Sequence, residues 1–191
     1  MAKAVDSEQA WQSMPSSYAI LVSTIDSKGR ENVAPAARFV KISDNPKVVG
    51  VCISKGHDTY TNIKETKEFV IAVPDADLAR KVWICGKPFP AGVSEFEKAG
   101  LKKEKAWKVK PFLVSECPIN VECVLEKTIS IGEHDLFIGK VVAMHYDKII
   151  DQLKSHQERK QFINPIFPLG EAWFRDGKGK VVNTGIDYKK V

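Results

Sequence analysis

The fold is decided by residues 29–73, GRENVAPAARFVKISDNPKVVGVCISKGHDTYTNIKETKEFVIAV. In its first half, the segment NVAPAARFVKIS (32–43) predicts a single β-strand returning from a turn. Asp, Asn and Pro at 44–46 end that strand because each favours turn geometry. KVVGVCIS is nearly continuously apolar, as expected of a strand covered on both faces. A short helix in TYTNIKETK, capped by Asp58, and a strand in EFVIAV complete the stretch.

The same strand-rich pattern extends in both directions. SYAILVSTI predicts a strand before the stretch, and INVECVLEKTISI with LFIGKVVAMHY predicts a hairpin after it, turned by GEHD. Helices are predicted in DADLARKVWIC (capped by Asp75), SEFEKAG (bounded by Ser94 and Gly100) and KIIDQLKSHQERKQFI, and a last hairpin in EAWFRDGKGKVV. NPIFPLG has neither helix nor strand periodicity. The whole pattern predicts one domain over residues 1–191, mainly β with peripheral helices, built on a closed or nearly closed antiparallel barrel.

Composition narrows the class of protein. The chain has 191 residues, 43% of them hydrophobic, and a formal net charge of +5. It has no apolar stretch long enough for a membrane span, and MAKAVDSEQAWQSM lacks the apolar core of a signal peptide, so we expect a cytoplasmic protein that does not bind membranes. The lysine-rich segment KAGLKKEKAWKVK is interrupted by a glutamate, Glu104, and accompanies no nucleic-acid motif, which favours a solvated face over nucleic-acid binding.

Cysteines and histidines give no sign of a metal site or a disulfide framework. The four cysteines form no C-x-x-C pair, and the four histidines have no zinc-ligand spacing. Cys52 and Cys123 lie in apolar strand patterns and are expected to be inert. Cys85 and Cys117 flank turn residues and are weak candidates for reactivity.

The segment SKGHDTYTN, residues 54–62, allows two interpretations. It places hydrogen-bond donors where a strand meets a helix N-terminus, an end that favours anions: Ser54, Lys55, His57, Thr59, Thr61 and Asn62. A capped helix start with no ligand has the same composition. No G-x-G-x-x-G, Walker A or G-x-S-x-G motif competes with either interpretation.

The ordered set of motifs resembles the flavin reductase-like, FMN-binding split-barrel family. The shared pattern is Asn, Ala-Pro-Ala, an Asn-Pro turn, an apolar strand, Thr followed by Asn-Ile, and a Glu-Phe strand within residues 29–73. ECPINVECVLEKTISIGEHDLFIGKVVAMH resembles the family's later hairpin, and NPIFPLG matches a segment of its flavoredoxin group, which this chain resembles most. The resemblance implies an antiparallel Greek-key split β-barrel that binds FMN at the interface of a homodimer.

The resemblance also implies where FMN would bind. Asn32 and the backbone of 34–38 would meet the ring or the ribityl chain, the end of the KVVGVCIS strand would line the cofactor, and Thr59 would contact the phosphate. His134 and Phe167 would close the site. With Asn62 from the donor set, the expected cofactor-binding residues are Asn32, Ala34, Ala36, Ala37, Arg38, Cys52, Ser54, Lys55, Thr59, Asn62, His134 and Phe167.

Two positions depart from the flavoredoxin group. Arg38 stands where those relatives have an aromatic residue, and Glu95 stands where they have a lysine that Lys87 or Lys98 could replace. The function implied is electron transfer through FMN between a reduced nicotinamide or redox-protein donor and an acceptor, with no catalytic side chain of the protein. A non-catalytic module that stores or senses FMN and an oligonucleotide-binding barrel are the alternatives.

Overall fold

The computed structural model describes residues 8–90, 92–170 and 172–184. The first half of the N-terminal stretch used for the localisation prediction therefore lies outside the described residues, as does Glu171 of the last predicted hairpin. None of the described helices combines the length and the apolar character needed to cross a membrane.

Strands dominate the structure. In chain order they are β1 Ile20–Ile25, β2 Glu31–Ala36, β3 Phe39–Asp44, β4 Lys47–Ser54, β5 Glu68–Val73, β6 Lys103–Glu104, β7 Leu113–Val114, β8 Ile119–Ile131, β9 His134–Tyr146, β10 Ile166–Gly170, β11 Trp173–Asp176 and β12 Val181–Asn183. The α-helices are α1 Glu8–Gln12, α2 Asp58–Thr66, α3 Ala79–Cys85, α4 Glu95–Ala99, α5 Ile149–Gln152 and α6 His156–Phe162.

The main sheet is curled because its two edge strands are consecutive in the chain. Its order is β2-β1-β5-β8-β9-β4-β3, and every described pairing in it is antiparallel. Only Ala37 and Arg38 separate β2 from β3, a connection that spans about 11 Å at most. The sheet must therefore bring its edges together. The prediction of a mainly β split barrel is confirmed. In the described parts of the chain no hydrogen-bonded ladder joins β2 to β3, so the barrel is not closed.

The prediction of a single strand over residues 32–43 is wrong, because the segment forms two strands, β2 and β3. The carbonyl of Ala37 accepts a hydrogen bond from the Ser17 N–H (3.1 Å), whereas the carbonyl of Arg38 accepts one from the Cys52 N–H (2.9 Å). Consecutive residues thus bond to opposite edges of the sheet. The sequence does not mark this break, because the connecting residues Ala37 and Arg38 are not residues that favour a turn.

Strand alternation divides the core into two layers. On β1, Ile20 and Val22 point into the barrel with Phe69 and Phe137, while Leu21 packs with α3 and α4 on the other side. All five of these residues are fully buried. Helices α3 and α4 therefore cover one face of β1 and β2. This packing holds the residues that follow α3 near the connection between β2 and β3.

Several predicted boundaries shift. The N-cap of α2 is His57, not Asp58, and its side chain makes no capping bond. Asp75 is at the N-cap position of a 3₁₀ turn, Ala76–Leu78, that precedes α3, but its carboxylate accepts the Asn164 N–H and makes no capping bond. Ser94 and Gly100 bound α4 as predicted, with Gly100 in the left-handed region at φ 62°.

The C-terminal third holds two further corrections. The long helix predicted over 148–163 is broken into α5 and α6 because Ser155 forms a capping box with Glu158. NPIFPLG, which lacks strand periodicity, nevertheless contains β10, paired with β11. Two prolines and a shift in register at Pro168 explain why alternation is lost there. The turn at Asp176 is as predicted, since its carboxylate accepts the N–H groups of Lys178 and Lys180.

Candidate functional site

A cleft of about 620 Å³ opens at the seam of the barrel. Its walls are the end of β2 with the connection to β3, the end of β4 with the start of α2, the segment after α3, and the first residue of β9. Of the predicted cofactor-binding residues, it is lined by Asn32, Ala34, Ala36, Ala37, Arg38, Cys52, Ser54, Thr59 and His134. The small alanines leave room for a flat ligand, and the other lining residues include polar groups.

A buried polar network supports the wall of the cleft that contains Asn32 and Thr59. The Asn32 amide donates to the hydroxyls of Thr24 (3.1 Å) and Thr59 (2.8 Å), and the Asn62 amide donates to Thr24 (3.0 Å). Asn32, Thr59 and Asn62 are all less than 10% exposed. The Thr59 hydroxyl therefore acts as an acceptor here, which leaves its own proton available as a donor. The network ties β1 and β2 to the first turns of α2.

The first turn of α2 presents unpaired backbone donors to this cleft. Because His57 makes no side-chain cap, the N–H groups of Asp58 and Thr59 have no acceptor among the described residues. Free N–H groups and the helix dipole favour an anion at such an end. The carboxylate of Asp58, in the same turn, opposes that preference.

The cleft is also lined by a cation, Arg38. The Arg38 guanidinium Nη1 lies 3.1 Å from His134 Nε2. Nη1 donates this bond and the imidazole nitrogen accepts it, because a guanidinium has no acceptor atom. His134 Nδ1 lies 3.4 Å from the Glu133 carboxylate. Arg38 forms no ion pair with a carboxylate in the described parts of the chain, so its charge faces the cleft uncompensated.

Lys55 does not line the cleft, although the resemblance implies that it does. Its ammonium group is held by the β8–β9 hairpin, through the Gly132 carbonyl (2.8 Å), the Ser130 hydroxyl (3.2 Å) and the Asp135 carboxylate (3.3 Å). Burial opposes ionisation of Asp135, but donors from Ser130, Tyr60 and Lys55 outweigh it and lower the pKa of that carboxyl. Lys55 therefore ties β4 to the hairpin that carries His134.

Two other predicted residues lie elsewhere. Asn62 contributes to the polar network but lines a neighbouring recess of about 850 Å³, not the cleft itself. Phe167 lies on β10, half-buried, with the Arg175 guanidinium 5.7 Å from its ring centroid. Within this chain Phe167 does not cover the cleft.

The sequence interpretation missed one wall of the cleft except for Lys87. The segment from Cys85 to Phe89 lines the cleft opposite the alanines of β2. A Cβ added at Gly86 would lie 3.0 Å from Pro35 Cγ, so a glycine permits the close approach of α3 to β2. The Gly and Pro residues of GKPFP (86–90) mark an ordered turn in the sequence, but they do not indicate what the turn faces.

Glu95 is the exceptional group of this site. The residue is partly buried, and its Oε2 atom is buried without a hydrogen-bond partner in the described structure. It lines both the cleft and the adjoining recess. Burial raises the pKa of its carboxyl, and the charges of Asp58 and Glu31 add to the effect, while N–H groups of Glu95 and Val33 oppose it.

The cysteines differ in their access to the cleft. Cys52 is half-buried and lines it. Burial raises the pKa of Cys85 to about 12 and also raises the pKa of Cys117, so both are held as thiols and the weak expectation of reactivity finds no support.

Comparisons with known proteins agree with this geometry. The model of the flavin reductase like domain family matches residues 11–162. A protein of Archaeoglobus fulgidus is 36% identical over 113 residues, which are 59% of this chain and 64% of that protein. A ferric-chelate reductase (NAD(P)H) of the same organism is 29% identical over 66% of this chain and 74% of its own length.

Solved structures share the fold over almost the whole chain. Nitrilotriacetate monooxygenase component B of Bacillus cereus superposes with a TM-score of 0.82 at 24% identity, covering 92% of this chain and 95% of its own. Flavoredoxin of Desulfovibrio vulgaris superposes with a TM-score of 0.73 at 22% identity, covering 98% and 95%. Fold and cleft thus define a split-barrel protein of the flavin-dependent redox class. The chain belongs to the flavin reductase like domain family.

The residues of the cleft fit a flavin, with one exception. Its lining combines small and apolar side chains, a cation and free helix N–H groups, which suits an apolar ring with a phosphorylated chain. The exception is the acidic group formed by Glu95, Asp58 and Glu31 near the helix end.

Proposed function

We propose that this protein binds FMN in the cleft at the barrel seam and transfers electrons through it. The donor would be a reduced nicotinamide or a redox protein, as in a flavoredoxin or flavin reductase. The observation that carries the proposal is the lining of the cleft, which combines the Asn32–Thr59 network, the free α2 N–H groups and the pair formed by Arg38 and His134.

Bound FMN would supply the redox chemistry, and the residues of this chain would bind and orient it. Thr59 and the N–H groups of α2 would hold the phosphate. Ala34, Ala36 and Ala37 would lie against the ring, and Arg38 would stabilise the negative charge that reduction adds. The His134 imidazole would hold the guanidinium in place.

A homodimer is part of the proposal, because an apolar sheet face adjoins the cleft. Val40 is 51% exposed and Ile42 is 47% exposed, on the same face of β3. A Cβ added at Gly50 would lie 2.9 Å from Ile42 Cδ1 and 3.2 Å from Leu136 Cδ1, so these side chains meet over a glycine. The same face of β4 continues to Cys52 in the cleft. A second copy on this face would reach the cofactor site.

The experiment that tests the proposal is an absorbance spectrum of the purified protein, with identification of any cofactor released. Steady-state oxidation of NADH and NADPH, with and without free flavin, then tests the oxidoreductase. We expect FMN-dependent oxidation of at least one nicotinamide or transfer from a reduced redox protein. Tight FMN binding without turnover from any such donor would favour the second candidate, a storage or sensing module, which the same cleft would serve.

A further inference from the structure

We propose that Glu95 is a cofactor-specificity residue that must be protonated when the flavin phosphate is bound, so that FMN binding takes up one proton from solvent. The inference rests on the proposed function, because it concerns the same cleft. It follows from the position of Glu95 beside the first turn of α2, where the phosphate would lie.

The geometry provides the first argument. Glu95 lines the cleft together with Asp58 and Thr59, and its buried Oε2 has no partner among the described residues. A carboxylate there would face a phosphate of nearly two negative charges in a partly desolvated site, which is strongly unfavourable. A carboxylic acid would instead donate its O–H to a phosphate oxygen, and hydrogen bonds to an ionised acceptor are short and strong. The same residue therefore repels or binds the phosphate according to its protonation.

The charged groups around Glu95 do not neutralise it. On β2, Glu31 adds negative charge but is compensated by Lys103 at 2.7 Å and by a hydrogen bond from Ser94 at 2.8 Å. On α2, Asp58 adds a second negative charge. Lys103 is thus already paired with another carboxylate.

The remaining neighbours are on or beside the helices. Cys85 at the end of α3 is held as a neutral thiol, and Lys87 after it lines the cleft. His57 precedes Asp58 in the cleft wall. On α4 itself, Glu97 and Lys98 are exposed. None of these cations forms an ion pair with Glu95 within 4 Å in the described structure, and the pKa of its carboxyl is raised.

Ionisation of Glu95 and ionisation of the phosphate change the Kd for FMN in opposite directions as pH rises. The second ionisation of a phosphate monoester lies near pH 6, and a site that prefers the dianion binds more tightly as pH rises through that value. A requirement for protonated Glu95 has the opposite effect. Once the pH exceeds the pKa of Glu95 in the free protein, the Kd for FMN should rise by up to tenfold per pH unit.

The test compares Kd values for FMN and riboflavin from about pH 5.5 to about pH 8.5, using flavin fluorescence and flavin-free full-length protein. Ionisation of the FMN phosphate changes the Kd of both proteins in the same way. The ratio of the parent Kd to the Glu95→Gln Kd for FMN is therefore independent of that ionisation. We expect that ratio to increase with pH, since glutamine keeps an N–H donor and cannot ionise. Riboflavin, which has no phosphate, should show a nearly constant ratio. Glu104→Gln on β6, an exposed site outside the cleft, should behave like the parent.

A second measurement does not depend on a variant. Calorimetry of FMN binding to the parent, in two buffers with different ionisation enthalpies, should show uptake of up to one proton above about pH 7. Riboflavin should show no uptake. A ratio that is constant with pH, or FMN binding without proton uptake, would overturn the role of Glu95 while leaving the flavin site intact. Failure of both flavins to bind the parent would overturn the proposed function as well.

Discussion

Arg38 Nη1 and His134 Nε2 lie 3.1 Å apart, although 96 positions separate these residues in the chain. Arg38 lies in the connection that crosses the seam of the barrel, and His134 begins β9. The contact exists because β4 pairs on one side with β3 and on the other with β9, so that Ser54 is opposite His134. Curling of the sheet thus brings Arg38 and His134 together in the wall of the cleft.

Arg38→Gln should lower the reduction potential of bound flavin. A positive charge several ångströms from the ring favours added negative charge by about 1–4 kcal/mol at an effective dielectric constant of ~20. Since 1.4 kcal/mol corresponds to about 30 mV for a two-electron couple, we expect a fall of some tens of millivolts in a spectroelectrochemical titration. Lys127→Gln is the matched control, because Lys127 is exposed on β8 and does not line the cleft. Equal shifts for both variants would contradict the assignment.

Loss of the Thr59 hydroxyl should weaken FMN binding selectively. A hydrogen bond to a charged group contributes roughly 1.5–3 kcal/mol, or about tenfold to hundredfold in Kd. We expect Thr59→Val to show this loss for FMN and little loss for riboflavin in fluorescence titrations. Thr59→Ser keeps the hydroxyl and should retain affinity.

The structure adds a stability effect to this substitution. Asn32 donates to the Thr59 hydroxyl in a buried network, so Thr59→Val leaves an amide N–H without that acceptor and should cost about 1–3 kcal/mol of unfolding free energy. If affinity for both flavins falls equally, the variant has disturbed the network instead of a phosphate contact.

Glu122→Gln should destabilise the fold. Glu122 is fully buried, and its carboxylate accepts N–H groups of Trp107, Lys108 and Val109 and contacts His145 Nε2 at 2.5 Å. An amide would direct N–H groups at these donors, with an expected loss of about 1–3 kcal/mol in urea unfolding. Glu126→Gln, exposed on the same strand, should lie within about 0.5 kcal/mol of the parent.

The same carboxylate predicts acid sensitivity. Burial works against ionisation of Glu122, but the backbone donors and His145 outweigh it and lower its pKa. Its contribution is therefore present above its ordinary pKa and is lost as pH falls through the lowered value. The stability difference between parent and Glu122→Gln should narrow in acid, and a difference that is independent of pH would be inconsistent with this account.

Ile42→Lys should convert the proposed homodimer to a monomer. The lysine would place a charge in the apolar face around Gly50 without entering the core, since Ile42 is 47% exposed. Light scattering should show halved mass and unchanged circular dichroism. Val181→Lys makes the same kind of change at a residue 52% exposed on β12 and should leave the mass unaltered. A parent that is already monomeric would refute the dimer.

Local chemistry made much of the fold predictable. KVVGVCIS, EFVIAV and INVECVLEKTISI form strands with the predicted bounds, because their β-branched and apolar residues have no competing local signal. The break at Ala37–Arg38 could not be predicted, since it depends on which edge each carbonyl meets after the sheet curls.

The candidate site was predictable only in part for the same reason. Residues 32–38 and 52–59 occur in two short stretches, and their donors or small side chains indicate a ligand. The wall from Cys85 to Phe89 faces the cleft only because α3 packs against β2 at Gly86. Lys55 and Phe167 have suitable chemistry, but tertiary contacts with the β8–β9 hairpin and with β11 direct them elsewhere.

The most direct measurement of the central claim is a fluorescence titration of flavin-free protein with FMN, for the parent and for Ala37→Trp. Ala37 lines the cleft at the barrel seam, and an indole there would fill the space assigned to the ring. We predict saturable binding of one FMN per chain in the parent and at least a tenfold weaker Kd in the variant, about 1.4 kcal/mol or more. Absence of saturable binding to the parent, or an unchanged Kd in a folded Ala37→Trp protein, would contradict the assignment of this cleft.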